Sequence, residues 1–107
     1  MKVVFWGTPE YSISSLNSII QAGHQIVAVV TQPDKRRKRG RGSHPSPVKE
    51  RSLELGLRVF TPKRIKDESD IKKQILSIEA DLYVVVAFGQ ILPSEVLSKP
   101  KYGCWNS

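Results

Sequence analysis

Residues 2–31 read KVVFWGTPEYSISSLNSIIQAGHQIVAVVT, and this stretch decides the fold. Its first apolar run, Lys2–Trp6, is short and rich in β-branched and aromatic residues, which is typical of a buried parallel strand. Apolar residues then recur at helical spacing as far as Gly23, which suits a helix C-cap. A second apolar run, Gln25–Thr31, precedes Pro33. The order strand, helix, strand predicts a βαβ unit.

The same alternation continues along the rest of the chain. Ser46 and Pro47 suit the N-cap and first position of a second helix, which is expected to end at Gly56. Three further strands are predicted at Leu57–Phe60, Leu82–Ala87 and Tyr102–Trp105, with a helix from about Asp67 or Ser69 and a short helix over Pro93–Ser98. Alternating elements predict an α/β fold: a doubly wound, Rossmann-like parallel sheet, truncated after its fifth strand, with the strand order 3-2-1-4-5.

The composition fits one small globular domain. The chain has 107 residues, of which 39% are hydrophobic, enough for a single core. The longest apolar run, Leu82–Phe88, is far shorter than the roughly 20 residues of a membrane-spanning helix, and a strand-like segment follows Met1 directly. We therefore expect no membrane span and no signal peptide. Cys104 is the single cysteine, so we expect a reducing compartment: the cytoplasm, or an organellar stroma or matrix.

The net charge of +7 is concentrated in one short loop. Residues 34–42 read DKRRKRGRG and contain six bases and one acid. Such a segment cannot pack into a core and is solvated unless an anion orders it, and nucleic acid is the natural polyanion. Charge alone leaves open the alternative of a solvated linker or a localisation-type basic run.

The predicted strand order places a ligand crevice where the winding of the sheet reverses, between the first and fourth strands. Gly7, Thr8 and Pro9 follow the first strand and are predicted to contact a substrate, while Asn106 ends the fifth strand beside them. A single glycine after the first strand does not make a dinucleotide fingerprint, a Walker loop is absent, and the histidines and the cysteine lack metal-ligand spacing. We therefore expect no metal and no tightly bound cofactor.

Five strings stand in a fixed order along the chain: FWGTPEYS from residue 5, VVTQPD from 29, PSPVK from 45, VVVAFGQILP from 84 and GCWN from 103. Together they resemble the methionyl-tRNA formyltransferase family, and TQPD with PSPVK separates them from relatives that formylate a purine precursor or an amino sugar. The resemblance implies transfer of a formyl group from 10-formyltetrahydrofolate to the methionine amino group of initiator tRNA. It also implies that residues 1–107 are the N-terminal part of the catalytic domain, without its remainder and a C-terminal β-barrel domain.

The resemblance assigns the chemistry to one residue of this chain. The family's catalytic centre combines an N-x-H pair with a more distant aspartate, and the sequence contains only Asn106 of these. The histidine would follow Ser107 directly. We expect the Asn106 amide to donate hydrogen bonds to the oxyanion of the tetrahedral intermediate, and the chain by itself to be inactive.

Two binding regions follow from the same resemblance. The folate pocket would be formed largely by the backbone of the loop after the fourth strand, which comprises Phe88, Gly89, Gln90, Ile91 and Leu92. The basic loop matches a family insertion that contacts the tRNA acceptor arm, with either Arg39-Gly40 or Arg41-Gly42 on the family's Arg-Gly. The predicted tRNA-binding residues are Lys35, Arg36, Arg37, Lys38, Arg39 and Arg41.

The expected partners are therefore initiator methionyl-tRNA and a folate co-substrate, with no membrane partner and a monomeric parent enzyme. Two other functions stay open at this point. One is a non-enzymatic, basic RNA-binding α/β module, and the other is a formyltransferase that acts on another amine. The six cations of the loop argue against the latter, because a small substrate does not need them.

Overall fold

The computed structural model describes residues 1–36 and 42–107. One sheet contains β1 (Lys2–Gly7), β2 (Gln25–Val30), β5 (Val59–Phe60), β6 (Leu82–Val86) and β7 (Cys104–Asn106), and a separate pair contains β3 (Lys35–Arg36) and β4 (Ser43–His44). The helices are α1 (Ser12–Gln21), α2 (Pro47–Glu54), α3 (Ser69–Leu76) and α4 (Ser94–Leu97). Within the described ranges, none of these helices has the length and apolarity needed to cross a bilayer.

The five-stranded sheet is parallel throughout and has the order β5-β2-β1-β6-β7. Counting only these five strands along the chain gives 3-2-1-4-5, so the predicted doubly wound α/β fold is confirmed. β1 lies between β2 and β6, and the winding reverses there. The carboxyl ends of β1 and β6 therefore form the edge at which this class of sheet binds ligands.

The sheet has an apolar core on each face. On one face Trp6 packs against Tyr83 and Phe88, with both ring-centroid distances at 5.3 Å, and α3 and α4 cover this cluster. On the other face Phe5 packs with residues of α1 and α2, including the fully buried Leu16. Helices on both faces account for the continuous apolar runs of the central strands, since both sides of these strands are buried.

The ends of the elements follow local chemistry. Ser46 caps α2 as predicted, because its Oγ accepts a 3.0 Å hydrogen bond from the backbone N–H of Lys49. The third strand of the sheet is shorter than predicted and covers only Val59–Phe60. The last strand begins later than predicted, at Cys104, because Gly103 adopts a φ of +86° in the preceding turn.

The antiparallel pair of β3 and β4 is not predicted from the sequence. Lys35 pairs with His44 and Arg36 pairs with Ser43. Strands of two residues show no alternation of apolar and polar side chains, so hydrophobic periodicity cannot reveal them. The pair gives the flanks of the basic loop a defined backbone, and both Lys35 and Arg36 are exposed.

Candidate functional site

The structure brings three of the predicted site segments to one rim of the sheet. Gly7, the last residue of β1, is paired with Val86, and Asn106 of β7 is paired with Val85. The backbone N–H of Ser107 donates a 3.0 Å hydrogen bond to the carbonyl oxygen of Val85. The segment that follows Val86 therefore lies on the same rim as Gly7 and Asn106, as the crevice prediction requires.

Gly7 stands where the Phe5 ring and the Val86 carbonyl oxygen leave no room for a side chain. A Cβ at this position would lie 2.9 Å from the carbonyl oxygen of Val86 and 2.8 Å from Cε2 of Phe5. The same carbonyl accepts a 2.7 Å hydrogen bond from the buried Oγ of Ser12. Glycine is required here for close approach of neighbouring groups, which fixes the entry into α1.

Thr8 uses its hydroxyl group within the protein. Its Oγ1 donates a 2.8 Å hydrogen bond to the carbonyl oxygen of Phe88 and accepts one of 3.3 Å from the backbone N–H of Gln32. The Oγ1 of buried Thr31 lies 3.5 Å from Thr8 Oγ1 and 2.7 Å from Ser46 Oγ. These hydroxyl groups connect the start of α2 with the loop after β6.

The loop after β6 turns sharply at two residues with positive φ, Ala87 at 54° and Gly89 at 92°. Among the described residues, Ala87 is the one residue other than glycine with a positive φ. This backbone conformation costs a non-glycine residue about 1 kcal/mol. The turn sends the Phe88 ring into the core, where it is 1% exposed. Ile91, in contrast, is 91% exposed, while Leu92 packs partly against the core.

Asn106 borders a shallow depression beside this loop. The depression has a volume of about 380 Å³, and its lining comprises Val85, residues 87–91, Asn106 and Ser107. The Asn106 side chain is exposed, so its amide is accessible from this depression. Asn106 and four of the five residues predicted for folate binding therefore line one space, whereas Leu92 packs against the core.

A second depression, of about 340 Å³, lies on the β5 side of the same loop. Gln32 and residues 89–91 form one part of its lining. The exposed cations Lys63, Arg64 and Lys66 form another. These cations are not among the predicted site residues, although three bases within the four residues 63–66 are a signal visible in the sequence. Arg64 also forms an ion pair of 3.7 Å with Asp67, which partly offsets its positive charge on this side of the loop.

A larger groove, of about 580 Å³, lies on the face of the sheet beside α1. Its floor includes Leu82, Val84 and Val86, and Asn106 also borders it. Trp105, at the groove's edge on β7, is 73% exposed. Asn106 therefore stands between this apolar groove and the depression beside the loop after β6.

The formyl transferase family matches residues 1–107, the whole chain. The chain belongs to the formyl transferase family. It is 57% identical over 106 residues to the methionyl-tRNA formyltransferase of Synechococcus sp. (strain WH7803), a match that covers 99% of this chain and 31% of that relative. It is 52% identical over 107 residues to the methionyl-tRNA formyltransferase of Prochlorococcus marinus (strain NATL2A), covering 100% of this chain and 32% of that relative. The chain spans about a third of the length of the curated relatives it matches.

Two titrating groups with raised pKa values, Tyr83 and Cys104, are paired on neighbouring strands of the sheet. Burial, with a smaller contribution from the charge of Cys104, raises the pKa of Tyr83 to about 12. Burial also raises the pKa of the Cys104 thiol. Both groups stay protonated at neutral pH, so neither supplies a base to the rim. In the described part of the rim, a ligand can therefore form hydrogen bonds with the Asn106 amide and with main-chain groups.

In the formyl transferase chain, two of the predicted tRNA-binding residues lie on β3 of the β3–β4 pair. Lys35 and Arg36 are exposed on β3, and a 2.9 Å ion pair between Lys49 and Asp34 joins α2 to the residue that precedes β3. The other predicted contacts lie outside the described residues; they are Arg37, Lys38, Arg39 and Arg41. The described ranges contain no group of three or more His, Cys, Asp or Glu residues able to hold a metal ion.

Proposed function

We propose that this chain is the N-terminal part of a catalytic domain that transfers a formyl group from 10-formyltetrahydrofolate to the methionine amino group of initiator tRNA. The relatives named methionyl-tRNA formyltransferase support this activity, at 52–57% identity over almost the whole chain. The observation that carries the proposal is the meeting of Gly7, the loop after Val86 and Asn106 at one rim of the sheet.

The loop at residues 88–92 would bind the folate. The Phe88 side chain is buried in the core, so this residue can serve a ligand only through its main chain. The exposed Ile91 side chain offers an apolar surface for a flat ring. Lys63 and Lys66 of the neighbouring depression suit the carboxylate groups that every folate carries.

Asn106 would act on the reacting carbonyl group. When the methionine amine attacks the formyl carbon, a new C–N bond forms and the carbonyl oxygen becomes an oxyanion. The exposed amide of Asn106 can donate a hydrogen bond to this oxygen. The bond from the formyl carbon to N10 of the folate then breaks, and the proton lost by the amine has to reach N10. The resemblance implies a catalytic centre that combines the asparagine with a histidine and a more distant aspartate, of which only Asn106 is matched in residues 1–107, so we propose that the isolated chain does not turn over.

The β3–β4 pair would present the basic loop to tRNA. Lys35 and Arg36 extend from β3 into solvent, and the loop between β3 and β4 carries four more cations. Contacts of Lys and Arg with phosphate give affinity that falls steeply with salt concentration. The same loop is the observation that favours the second candidate function, a basic RNA-binding module without folate chemistry.

A binding experiment with this chain separates the two functions. We expect calorimetry to show one molecule of 5-formyltetrahydrofolate, a stable formyl folate, binding per chain, and we expect RNA to bind independently. Replacing Gly89 by Val should abolish folate binding and leave RNA binding unchanged, because Gly89 has a φ of +92°, which a β-branched residue rarely adopts, and because an added Cβ would also displace Nε2 of Gln32, which lies 2.7 Å away. A folded chain that binds RNA but not folate would overturn the proposal and establish the second function.

A further inference from the structure

The Gln90 side chain makes an unusually complete set of hydrogen bonds for a loop residue. Its Oε1 accepts a 2.8 Å hydrogen bond from the backbone N–H of Ile65. Its Nε2 donates to Oε1 of Gln32 at 2.9 Å, to the carbonyl oxygen of Pro62 at 2.9 Å and to that of Lys63 at 3.0 Å. An amide nitrogen has two hydrogens, so one of them is shared between two acceptors and none is free for a ligand.

These bonds join three connections at the carboxyl edge of the sheet. Gln32 follows β2, Pro62 to Ile65 follow β5, and Gln90 itself belongs to the loop after β6. The partners lie 25 to 58 residues away from Gln90 along the chain. Their contacts therefore fix the loop after β6 relative to two other elements.

The neighbouring residue shows how closely the loop is held. A Cβ at Gly89 would lie 2.7 Å from Nε2 of Gln32, so the Gln32 side chain already occupies the space beside the Gly89 backbone. On the opposite side, the carbonyl of Phe88 is held by the hydroxyl group of Thr8. The backbone of residues 88–90 is thus held from two sides, although Ile91 is almost fully exposed.

We propose that Gln90 is a positioning residue, whose side chain binds Gln32 and the segment 62–65 and thereby preorganises the main chain of residues 88–92 for the folate. The inference rests on the proposed function, and it assigns Gln90 a role through its neighbours rather than by contact of its amide with the ligand. Preorganisation raises affinity because less conformational freedom is lost when the ligand binds.

The test uses Gln90→Leu in the complete product of the gene, because leucine keeps the bulk of glutamine and removes all four hydrogen bonds. We expect the KM for 10-formyltetrahydrofolate to rise about tenfold or more, in line with the loss of several hydrogen bonds. The kcat and the KM for methionyl-tRNA should change by less than about twofold. Hydrogen exchange of the backbone amides of residues 88–92 should accelerate. The matched control is Gln74→Leu, at an exposed position on α3, which should change none of these quantities.

A second pair of variants keeps the test decisive if Gln90→Leu does not fold. Gln32→Leu removes one partner of Gln90, whereas Gln32→Glu keeps an oxygen that can accept the same bond. We expect Gln32→Leu to raise the folate KM and Gln32→Glu to restore it towards the wild-type value.

Each outcome bears on a different claim. If the wild-type protein does not use the folate, the proposed function fails. If the wild-type protein uses it and Gln90→Leu leaves the folate KM unchanged, the positioning role is overturned. A raised KM without faster exchange at residues 88–92 would also overturn it, because Gln90 would then act by touching the ligand. Parallel losses in every kinetic parameter would indicate a purely structural residue.

Discussion

The Oγ1 of Thr8 donates a 2.8 Å hydrogen bond to the carbonyl oxygen of Phe88, which lies 80 residues further along the chain. This bond joins the turn after β1 to the loop after β6, the two connections that flank the point where the sheet reverses its winding. Sequence analysis places Thr8 among the substrate-binding residues. The structure gives its hydroxyl group a partner inside the protein, the main-chain carbonyl of Phe88.

Replacing Thr8 by Val should destabilise the chain. The variant keeps the shape of the side chain but leaves the Phe88 carbonyl without its donor, so we expect the free energy of unfolding to fall by about 1–3 kcal/mol. Urea unfolding at pH 7 measures this change. Thr8→Ser retains the hydroxyl group and is the matched control, so its loss should be the smaller one; a Thr8→Val variant no less stable than Thr8→Ser would show that the bond contributes little.

Replacing Gly7 by Ala should be more harmful than replacing Gly23 by Ala. The Cβ of the first variant meets the Val86 carbonyl oxygen at 2.9 Å, and we expect a loss of about 1–3 kcal/mol from the forced shift of β1 against β6. At Gly23 nothing lies within 4 Å of an added Cβ, so only the positive φ of +92° opposes alanine, at about 1 kcal/mol. Thermal unfolding of both variants tests the order, and a smaller loss at Gly7 would contradict it.

The stability of the chain should fall at alkaline pH because of Tyr83. Its pKa is about 12 in the folded chain, raised first by burial and then by the charge of Cys104, against 10.0 for an unperturbed tyrosine. The unfolded state therefore loses this proton first, so the stabilisation is complete below pH 10 and is lost between pH 10 and 12, by up to roughly 2–3 kcal/mol.

Tyr83→Phe isolates this effect, because the variant keeps every other titrating group. Among the described residues the Tyr83 hydroxyl is buried without a hydrogen-bond partner, so its removal should cost little stability at pH 7. Chemical unfolding at pH 8 and pH 11.5 should show a smaller alkaline loss for the variant than for the wild type. Equal losses would show that Tyr83 does not stay protonated in the folded chain.

Replacing Asn106 by Ala in the complete product of the gene should slow the chemical step. The loss of one donor to a developing oxyanion costs about 10²-fold to 10³-fold in kcat. The affinity for methionyl-tRNA should stay within about twofold, which filter binding or calorimetry can check. Asn17→Ala, on α1, is the control for a lost amide at another site. A large loss of tRNA affinity with normal kcat would rule out the proposed role of Asn106.

Neutralising the basic loop should weaken tRNA binding and flatten its dependence on salt. The variant replaces Arg36, Arg37, Arg39 and Arg41 by Gln, and each lost phosphate contact should reduce the slope of log affinity against log salt by about 0.7–0.9. The control replaces four exposed lysines elsewhere, so that the net charge is matched; these are Lys2, Lys73, Lys99 and Lys101. An unchanged slope in the loop variant, or an equal change in the control, would remove the loop from the interface.

The order of the main elements could be predicted because it follows from apolar runs that have to be buried. The strands at Lys2–Gly7 and Leu82–Val86 lie within one or two residues of the predicted bounds. The N-cap of α2 at Ser46 could be predicted from the pair Ser46-Pro47. The β3–β4 pair was not predictable, because it depends on backbone pairing of polar residues rather than on a hydrophobic pattern.

The location of the site could be predicted from the sequence, but the contacts within it could not. Topology alone brings Gly7, Val86 and Asn106 together, since parallel strands end at one edge. Side-chain directions inside the loop could not be derived, because they depend on the positive φ of Ala87, which a sequence does not reveal in a residue other than glycine. The four hydrogen bonds of the Gln90 side chain form only because the connections after β2, β5 and β6 come together in the folded chain. This is a tertiary property.

The two tryptophans of the chain occupy opposite environments. Trp6 is fully buried beside Tyr83 and Phe88, whereas Trp105 is 73% exposed and directly precedes Asn106. Indole fluorescence depends on contact with water, so the two emit at different wavelengths. The chain therefore carries two optical reporters without any label: Trp6 should report on melting of the interior, and Trp105 on the groove beside α1 that it borders.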